Sequence, residues 1–407
     1  MQQIDCGRLW QILKKTRENP EIEARVMTII EAVRKQGDRA LLEFTRRFDR
    51  ASISSPVVPE EMVRSSRRYL TGPIKQALQQ ARRRIERYHQ AQLPAGFVQK
   101  ETGCEIRFCW DPIRSVGLYI PASQAPLVSS VLMTAIPAKV AGCREIVAAT
   151  PPGPDGQVNP YLLATLDWLG VKKIFRMGGA QAIAAMAFGT ETVPRVDKVA
   201  GPGSAYVNTA KRLLFGQIGL DTLAGPSELV VFADDSGQPE LIAADLASQM
   251  EHTGGTGIFI TTSARLGQQV ASRLKSGYWL LVPDRKQALR IINELAPEHL
   301  QVICRESEEL LRQSLAGVIL VGSYTPTALS DYFAGPSHVL PTQQAVRYTS
   351  GISVYTFLRS YAIIRAKKGF LKKWGKTVRQ LALLEGLTEH AASLQVRLRG
   401  GKHGPKG

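Results

Sequence analysis

The sequence predicts an α/β fold in which parallel strands alternate with helices, with helical segments at both ends of the chain. Beyond about residue 100, short apolar runs alternate with helical stretches, a pattern typical of parallel strands linked by helices. The chain has 407 residues, more than one compact core usually holds, so we expect two or three domains. Its 44% apolar residues are enough to bury such cores.

The chain up to about residue 90 is predicted to be helical. Asn19-Pro20-Glu21 marks a helix start, and apolar residues then recur at helical spacing until Gly37. A second helix is predicted over 40–48, and a long third helix ends near His89.

The central part of the chain holds the strands and helices of the predicted sheets. The strands are expected at 115–120, 145–149, 173–177, Lys198–Ala200, Glu228–Ala233, 257–261 and 317–321. The helices are expected at 128–142, 161–169, 180–188, 206–214, 239–251 and 286–295. The C-terminal part is predicted to return to helix and to end in a frayed Gly/Lys-rich tail, 400–407.

Composition excludes several classes of protein. No apolar run approaches the ~18–20 residues that cross a bilayer, and the N-terminal stretch lacks the apolar block of a secretory signal. The five cysteines are scattered without a CxxC motif, so neither a disulfide framework nor an all-cysteine zinc site is expected. We therefore expect a cytoplasmic protein in a reducing compartment.

The net charge of +17, from 52 Lys and Arg against 35 Asp and Glu, is concentrated in two runs, 64–87 and 365–379. A basic excess can serve nucleic acid or an acidic membrane surface. Neither run is accompanied by an RNP-like aromatic motif, a zinc finger or a helix-turn-helix. We favour solvated helix faces, and keep as a distant alternative a noncatalytic polyanion-binding protein whose affinity would depend steeply on salt.

Four segments carry polar side chains suited to chemistry. In the predicted helix 239–251, Gln249 lies beside the apolar stripe and His252 shares its face. A divalent metal would satisfy both groups, although a polar helix end explains this segment alone better. The other three segments each bring a carboxylate and an imidazole together, at Glu298 and His299, Asp331 and His338, and Glu385 and His390. These residue types suit zinc, but their spacing does not show that they converge.

Two glycine turns are candidate phosphate sites. No Gly-x-Gly-x-x-Gly fingerprint is present, but Gly178-Gly179 and Gly201-Pro202-Gly203 each follow a predicted strand and precede a helix. Such a turn can offer backbone N–H groups to a phosphate. A tight turn alone explains the same glycines about as well.

Taken together, these segments resemble the histidinol dehydrogenase family, from about residue 20 to 398. The matching stretches are VGLYIPASQAPLVSSVLMTAIPAKVAGC (116–143), MGGAQAIAAMAFGTETVPRVDKVAGPGSAYV (177–207), LDTLAGPSELVVFAD (220–234), ADLASQMEH (244–252), APEHL (296–300), DYFAGPSHVLPT (331–342), SGISVY (350–355) and EGLTEHA (385–391). Because the motifs are long and occur in the same order, a chance match is excluded.

The resemblance implies a role for each matching residue. The implied zinc ligands are Gln249, His252 and Asp331, with His390 from the other subunit. The implied acid–base pair is Glu298 and His299. The implied substrate contacts are Ser227, Gln249, His252, His299, Asp331, His338, Glu385 and His390. The implied NAD contacts are Tyr119, Gln181 and Ser204.

The resemblance also implies the reaction. The family oxidises L-histidinol through an aldehyde to L-histidine, with one zinc per subunit and two NAD in succession. Zinc can orient the imidazole and amine of the substrate. His299 can take the hydroxyl proton, and Glu298 can activate the water that adds to the aldehyde.

The implied architecture is two incomplete Rossmann-like parallel-sheet domains with helical N- and C-terminal extensions. We expect an N-terminal extension at 1–18, a first domain formed by 19–118 with 227–352, and a second domain, 119–226, that contacts NAD. The remaining segment, 353–407, is expected to be a helical tail exchanged between the subunits of a homodimer. Neither a membrane nor a specific nucleic-acid partner is expected.

Three departures from the family pattern concern the surroundings of the site. Pro121-Ala122-Ser123 stands where the family usually has Pro-Gly-Gly, and Ser204 stands where it usually has Asn. The stretch 266–285 looks shorter, as though a helix and a strand were trimmed. The nearest alternative is therefore a paralogue that oxidises another small amino alcohol or diol with zinc and NAD, although Glu385, His338 and His390 favour histidinol.

Overall fold

The computed structural model describes residues 1–9, 20–122, 125–251, 253–305 and 308–399. The chain forms two compact units. The first unit comprises Met1–Leu93 and Ile113–Phe357, and the second comprises Pro94–Pro112 and Leu358–Gly407. The second unit is therefore assembled from two stretches that are far apart in sequence. The predicted domain boundaries stay a prediction.

Strands and helices follow one another along the described chain. The strands are β1 (Gln2–Gln3), β2 (Phe97–Glu101), β3 (Cys104–Pro112), β4 (Ser115–Tyr119), β5 (Glu145–Thr150), β6 (Lys173–Arg176), β7 (Lys198–Ala200), β8 (Gly219–Leu220), β9 (Glu228–Ala233), β10 (Thr256–Thr261), β11 (Tyr278–Leu281), β12 (His299–Ile303), β13 (Val318–Val321) and β14 (Leu358–Ala366). The helices are α1 (Pro20–Gln36), α2 (Asp38–Phe44), α3 (Glu60–Ser66), α4 (Gly72–Ala91), α5 (Val128–Ala141), α6 (Pro160–Trp168), α7 (Gly179–Phe188), α8 (Ala205–Leu214), α9 (Pro239–Met250), α10 (Ala264–Ala271), α11 (Arg285–Leu295), α12 (Glu308–Gln313), α13 (Thr327–Tyr332), α14 (Lys368–Leu384) and α15 (Thr388–Arg399). The α/β class is confirmed, and the predicted central strands and helices are all present.

The six-stranded sheet of the first unit has the order β1-β11-β10-β9-β12-β13, with parallel pairing throughout. Its central strand β9 is buried on both faces, because its side chains point alternately into two apolar clusters, one on each face of the sheet. Val230 and Phe232 belong to one apolar cluster with α11, whereas Leu229 and Val231 belong to another with α9 and α10. This sandwich of helices fixes the strand ends that carry Ser227 and Glu298.

The five-stranded sheet of the first unit is also parallel, in the order β6-β5-β4-β7-β8. The first strand of this sheet in chain order is β4. Strands β5 and β6 then lie successively on one side of it, and β7 lies on its other side. The strand order therefore reverses between β4 and β7. Helix α1 covers one face with Val26, Ile29, Ile30 and Val33, the residues whose helical spacing predicted it.

The second unit contains an antiparallel sheet in the order β14-β3-β2, with α14 and α15. The expectation that the C-terminal part of the chain is wholly helical is therefore wrong over Leu358–Ala366. Strand β14 has a mostly exposed surface and lacks a regular apolar face. Its partner β3 lies far away in sequence, so local patterning could not predict this strand.

Other differences are local. The predicted helix 40–48 is α2 followed by a π-helix, Thr45–Asp49. The N-terminal extension, expected to be helical, begins with strand β1 beside β11. The stretch 266–285 holds most of α10 and all of β11, and its shortening relative to the family stays a prediction. The Asn19 cap and the tail 400–407 lie outside the described residues.

Basic side chains of the 64–87 run have partners within the first unit. Arg67 contacts Asp167 at 2.7 Å, Arg82 contacts Glu86 at 2.6 Å, and Arg84 donates to the carbonyl oxygen of Phe333. These contacts favour a structural role for the run. Across the parts of the chain that the structure describes, no helix combines the length and apolarity needed to cross a membrane.

Candidate active site

Glu298, His299 and Asp331 lie together at the amino end of β12. Helix α11 ends at Leu295, its C-cap residue Ala296 has a left-handed φ of 44°, and Pro297 and Glu298 lead into the strand. The Nδ1 atom of His299 is 3.4 Å from Oε2 of Glu298, and its Nε2 atom is 3.3 Å from Oδ1 of Asp331. The imidazole therefore lies between two carboxylates.

The charge state of His299 follows from these neighbours. Burial disfavours the charged imidazole, but the Glu298 and Asp331 carboxylates outweigh it and raise the pKa of His299 to about 10. The imidazole therefore favours its protonated form at neutral pH. A cation at Asp331 would cancel part of that negative field and lower the pKa of His299.

Glu298 is anchored by the amino end of the neighbouring strand β9. The Ser227 hydroxyl donates to Oε2 of Glu298 at 2.5 Å, and the backbone N–H of Glu228 donates to the same oxygen at 2.8 Å. The two strands are parallel neighbours, with His299 beside Leu229. Strand pairing therefore brings Ser227 to the predicted acid–base pair.

Gln249 is buried, as its position on α9 predicts, and is 1% exposed. Neither its amide nitrogen nor its amide oxygen has a hydrogen-bond partner in the described structure. Such a group costs stability unless something binds it. The residues present thus fit a metal that takes nitrogen and oxygen ligands. Within the described residues, no three His, Cys, Asp or Glu side chains form a metal-binding group.

The remaining predicted metal and substrate residues are placed differently. His252 lies outside the described residues. His338 is adjacent to the site, because its Nδ1 lies 2.8 Å from the carbonyl oxygen of Asp331. Glu385 and His390 belong to the second unit, at the end of α14 and in α15, where both are exposed.

The predicted NAD contacts each follow or end a strand of the five-stranded sheet: Tyr119 ends β4, Gln181 lies in α7 after β6, and Ser204 follows β7. The Tyr119 hydroxyl accepts a hydrogen bond from the Gly179 N–H at 3.1 Å, and burial raises the pKa of Tyr119 to about 12. Gln181 is buried in the first turn of α7. A Cβ on Gly201 would lie 2.1 Å from the Tyr119 carbonyl oxygen, so the turn carrying Ser204 passes close to β4. The point where strand order reverses in such a sheet is where nucleotides usually bind.

A cavity beside this position was not predicted from the sequence. It has a volume of about 320 Å³ and is lined in part by Ala122, Pro151, Asp155 and Gln157. Its lining combines prolines with polar side chains. The signal available in the sequence was the Pro-Pro-Gly-Pro run that follows β5.

A second feature that was not predicted is a buried pair of polar side chains on β12 and α9. The Gln301 amide donates to Asp245 at 2.7 Å, and both side chains are buried. Gln301 is two residues beyond His299 on β12, and Asp245 is four residues before Gln249 on α9, so each shares a face with a site residue. Those two spacings were the signal in the sequence.

Comparisons with known proteins cover almost the whole chain. The family model for histidinol dehydrogenase matches residues 13–398. The chain is 39% identical to a histidinol dehydrogenase of Parasynechococcus marenigrum, over 94% of this chain and 93% of that protein. It is 40% identical to that of Clostridium acetobutylicum, over 97% of each. The crystal structure of histidinol dehydrogenase from Elizabethkingia anophelis matches with a TM-score of 0.91 and 31% identity, covering 98% of this chain and 97% of that one.

Proposed function

The chain belongs to the histidinol dehydrogenase family, and on that premise we propose that it oxidises L-histidinol through histidinal to L-histidine, the last step of histidine biosynthesis. It would thus act as an oxidoreductase on an alcohol and then on an aldehyde. The observation that carries the proposal is the continuous row of contacts from Ser227 through Glu298 and His299 to Asp331.

In its neutral form, His299 would take the proton that leaves the substrate hydroxyl, and a cation bound at Asp331 would favour that form by lowering the pKa of His299. The carboxylates of Glu298 and Asp331 face its two ring nitrogens and stabilise the protonated imidazole. Glu298 would serve the second oxidation as the base for water. Its Oε2 is fixed by Ser227 and by the Glu228 N–H, so the carboxylate is oriented before substrate binds.

We assign one zinc ion per subunit to Gln249, His252, Asp331 and His390 of the partner subunit. Zinc, when bound, supplies a centre that can hold the imidazole and the amine of histidinol. The fit is supported by the buried Gln249 amide, whose nitrogen and oxygen have no partner in the described structure. The 3.3 Å approach of Asp331 to His299 would tie the metal ligand to the acid–base group.

We assign NAD to Tyr119, Gln181 and Ser204. NAD, when bound, accepts the hydride in each oxidation. Support comes from the positions of Tyr119 at the end of β4 and Ser204 after β7, the two strands between which the strand order reverses, and from the nearby cavity at Ala122 and Pro151, which we assign to the adenosine end. The Ser204 hydroxyl is exposed and makes no capping bond to α8, so it is available to the cofactor.

We propose that the enzyme is a homodimer in which each subunit supplies Glu385 and His390 to its partner's site. Both residues are exposed in the second unit, whose helices also expose apolar side chains such as Leu384 and Val396. Mixing Glu298→Gln with His390→Ala protomers tests this model. Each variant alone should be inactive, whereas a mixed dimer should regain one working site. Verified mixed dimers that stay inactive would contradict it.

The experiment that tests the main proposal follows NADH formation with L-histidinol against a panel of amino alcohols and diols. Zinc content is measured on the same sample. We expect histidinol to be the preferred substrate, zinc to be present, and chelation to abolish turnover reversibly. Full activity in a metal-free sample would contradict the zinc assignment.

The alternative function is a paralogue that oxidises another small amino alcohol or diol. The observation in its favour is that Ala122, one of the departures from the family pattern, lines the cavity near the predicted NAD residues. Ser123 lies outside the described residues. A panel substrate turned over faster than histidinol would favour this alternative. In either case we propose a cytoplasmic enzyme, since all five cysteines are free.

A further inference from the structure

Lys211 and Asp221 form an ion pair inside the first unit, with side chains 0% and 1% exposed. The Lys211 ammonium donates to Oδ1 of Asp221 at 2.7 Å, to the Gly201 carbonyl oxygen at 2.5 Å and to the Thr222 carbonyl oxygen at 3.3 Å. All three donors of the ammonium are therefore used. Burying two charges is costly in free energy. A buried ion pair whose hydrogen bonds are all made is therefore expected to have a role besides packing.

The partners of this pair belong to two loops. The cofactor turn, 201–204, carries Ser204, and the serine loop, 221–227, ends at Ser227. Asp221 Oδ2 accepts from the Gly201 N–H at 2.8 Å, so the pair grips the cofactor turn at both its N–H and its C=O. Asn208 adds a second bridge, because its amide donates to the carbonyl oxygens of Gly203 at 3.1 Å and Ala224 at 2.5 Å.

Both bridges come from one face of helix α8. Asn208 and Lys211 are three residues apart, so their side chains project in the same direction, toward the two loops. We call Asn208, Lys211 and Asp221 the clasp. It leaves the exposed side of the cofactor turn open, where the Ser204 hydroxyl is found.

The cofactor turn has little freedom to adjust by itself. Gly201 has a φ of +127°, and a Cβ there would lie 2.1 Å from the carbonyl oxygen of Tyr119. The cofactor turn therefore packs against the end of β4 at Tyr119, and it is hydrogen-bonded to Lys211, Asp221 and Asn208 of the clasp. A shift of the serine loop would be transmitted to the turn through Asp221 and Ala224.

We infer that Asn208, Lys211 and Asp221 are positioning residues that hold the cofactor turn and the serine loop in one register, so that the NAD and histidinol sites depend on the same clasp. The inference rests on the proposed function, which assigns NAD to Ser204 and the substrate to Ser227. Loss of the clasp weakens the binding of both ligands. It perturbs the acid–base pair less, because the pairing of β9 with β12 and the Glu228 N–H also hold Glu298, in addition to Ser227.

The test compares Lys211→Met with the double variant Lys211→Met/Asp221→Leu. The single variant leaves a buried carboxylate without its cation and should unfold at a lower temperature, whereas the double variant replaces the pair with apolar groups and should recover much of that loss. Both should raise the Kd for NAD, measured by direct titration, and the KM for histidinol by about tenfold, equivalent to about 1.4 kcal/mol. The kcat at saturation should change less.

The matched control is Lys139→Met, whose ammonium donates to the Leu169 carbonyl oxygen near the end of α6. Its Kd for NAD and KM for histidinol should equal those of the wild type. Asn208→Leu, which keeps the ion pair, should raise both the Kd for NAD and the KM for histidinol. If Lys211→Met does not fold, Asn208→Leu tests the inference in its place.

The inference is overturned if the double variant binds NAD and histidinol like the wild type, since the clasp would then be purely structural. It is also overturned if only one of the two constants changes. Ser204→Val separates this from the proposed function. An unchanged Kd for NAD in Ser204→Val contradicts the NAD assignment, whereas a weakened one with unaffected clasp variants contradicts the clasp alone.

Discussion

The two parallel sheets of the first unit share a winding pattern but carry their predicted site residues at opposite ends of the strands. In the five-stranded sheet, Tyr119 ends β4 and Gly201 follows β7, so the predicted cofactor residues gather at the carboxyl ends. In the six-stranded sheet, Ser227 precedes β9 and Glu298 precedes β12, so the acid–base residues gather at the amino ends.

The two kinds of predicted site lie at opposite strand ends because the two ends present different chemical groups. The carboxyl ends lead into glycine turns and helix starts, which suit a nucleotide. At the amino end of β9, the N–H of Glu228 donates to the Glu298 carboxylate. One end therefore provides a surface for a large ligand, and the other provides fixed groups for proton transfer.

The largest effect is expected at the amino ends. Glu298→Gln should lower kcat by about 10²–10⁴-fold, because the amide cannot accept a proton from water. Oxidation of supplied histidinal should suffer more than the first hydride transfer, while the Kd for NAD stays unchanged. Single-turnover kinetics of both half-reactions check this, with the partly exposed Glu294→Gln as control. Equal losses in both half-reactions would mean that Glu298 also serves the first step.

Gln249→Leu separates metal binding from folding at the same sheet. Removing a buried amide that has no partner in the described structure should leave the melting temperature of the metal-free protein unchanged or raised. Zinc affinity should fall by at least roughly tenfold, measured by competition with a chelator. The exposed Gln268→Leu is the control. If zinc affinity does not change, Gln249 is not a ligand.

Asp49 gives the carboxyl ends of the five-stranded sheet a dependence on pH. Its Oδ1 lies 3.4 Å from where a Cβ on Gly178 would be, and burial raises the pKa of Asp49 from 3.8 to about 6. A raised carboxyl pKa contributes stability below the unfolded pKa, and that contribution is lost as pH rises through about 6. Asp49→Asn should therefore be more stable than the wild type above this range, by about 1.5 kcal/mol after allowance for partial exposure, and similar at pH ~4.

Urea unfolding from pH ~4 to ~8 measures this difference, with the exposed Asp235→Asn as control. A difference between Asp49→Asn and the wild type that is the same at all pH values would show that Asp49 does not titrate in this range.

The smallest effect concerns Ser204, also at the carboxyl ends. Ser204→Asn should tighten NAD binding by about 1 kcal/mol, because an amide reaches further than a hydroxyl and can both donate and accept. The KM for histidinol should not change, since Ser227 lies at the other sheet. Titration with NAD checks this, and Ala205→Asn, one residue later and also exposed, is the control. An unchanged Kd would mean that the turn does not touch the cofactor.

The sequence predicted features that depend on neighbouring residues, but it did not predict contacts between segments that are far apart along the chain. Strand β9 and helix α9 follow from local apolar spacing, which also placed Gln249 on a buried face. The pairing of β14 with β3 joins segments some 250 residues apart, from Leu358 against Pro112 to Ala366 against Cys104. No local pattern encodes it.

The clasp was hidden for a related reason. Lys211 and Asp221 are only ten residues apart, but Lys211 lies on a helix and Asp221 on the loop beyond it, so no helical or strand period relates them. The row Ser227, Glu298, His299 and Asp331 was recognised through family motifs, whereas its contacts depend on two strands being neighbours in a sheet.

The pairing of β14 with β3 also sets an order of events during synthesis. The stretch from Ile113 to Phe357 begins and ends at one point, because the Ile113 N–H donates to the Phe357 carbonyl oxygen at 2.8 Å. A nascent chain can therefore complete its first unit before the ribosome has made β14, the strand that pairs with β3. Glu385 and His390 leave the ribosome after every other predicted site residue, so a prematurely terminated chain can carry a finished first unit and yet lack both.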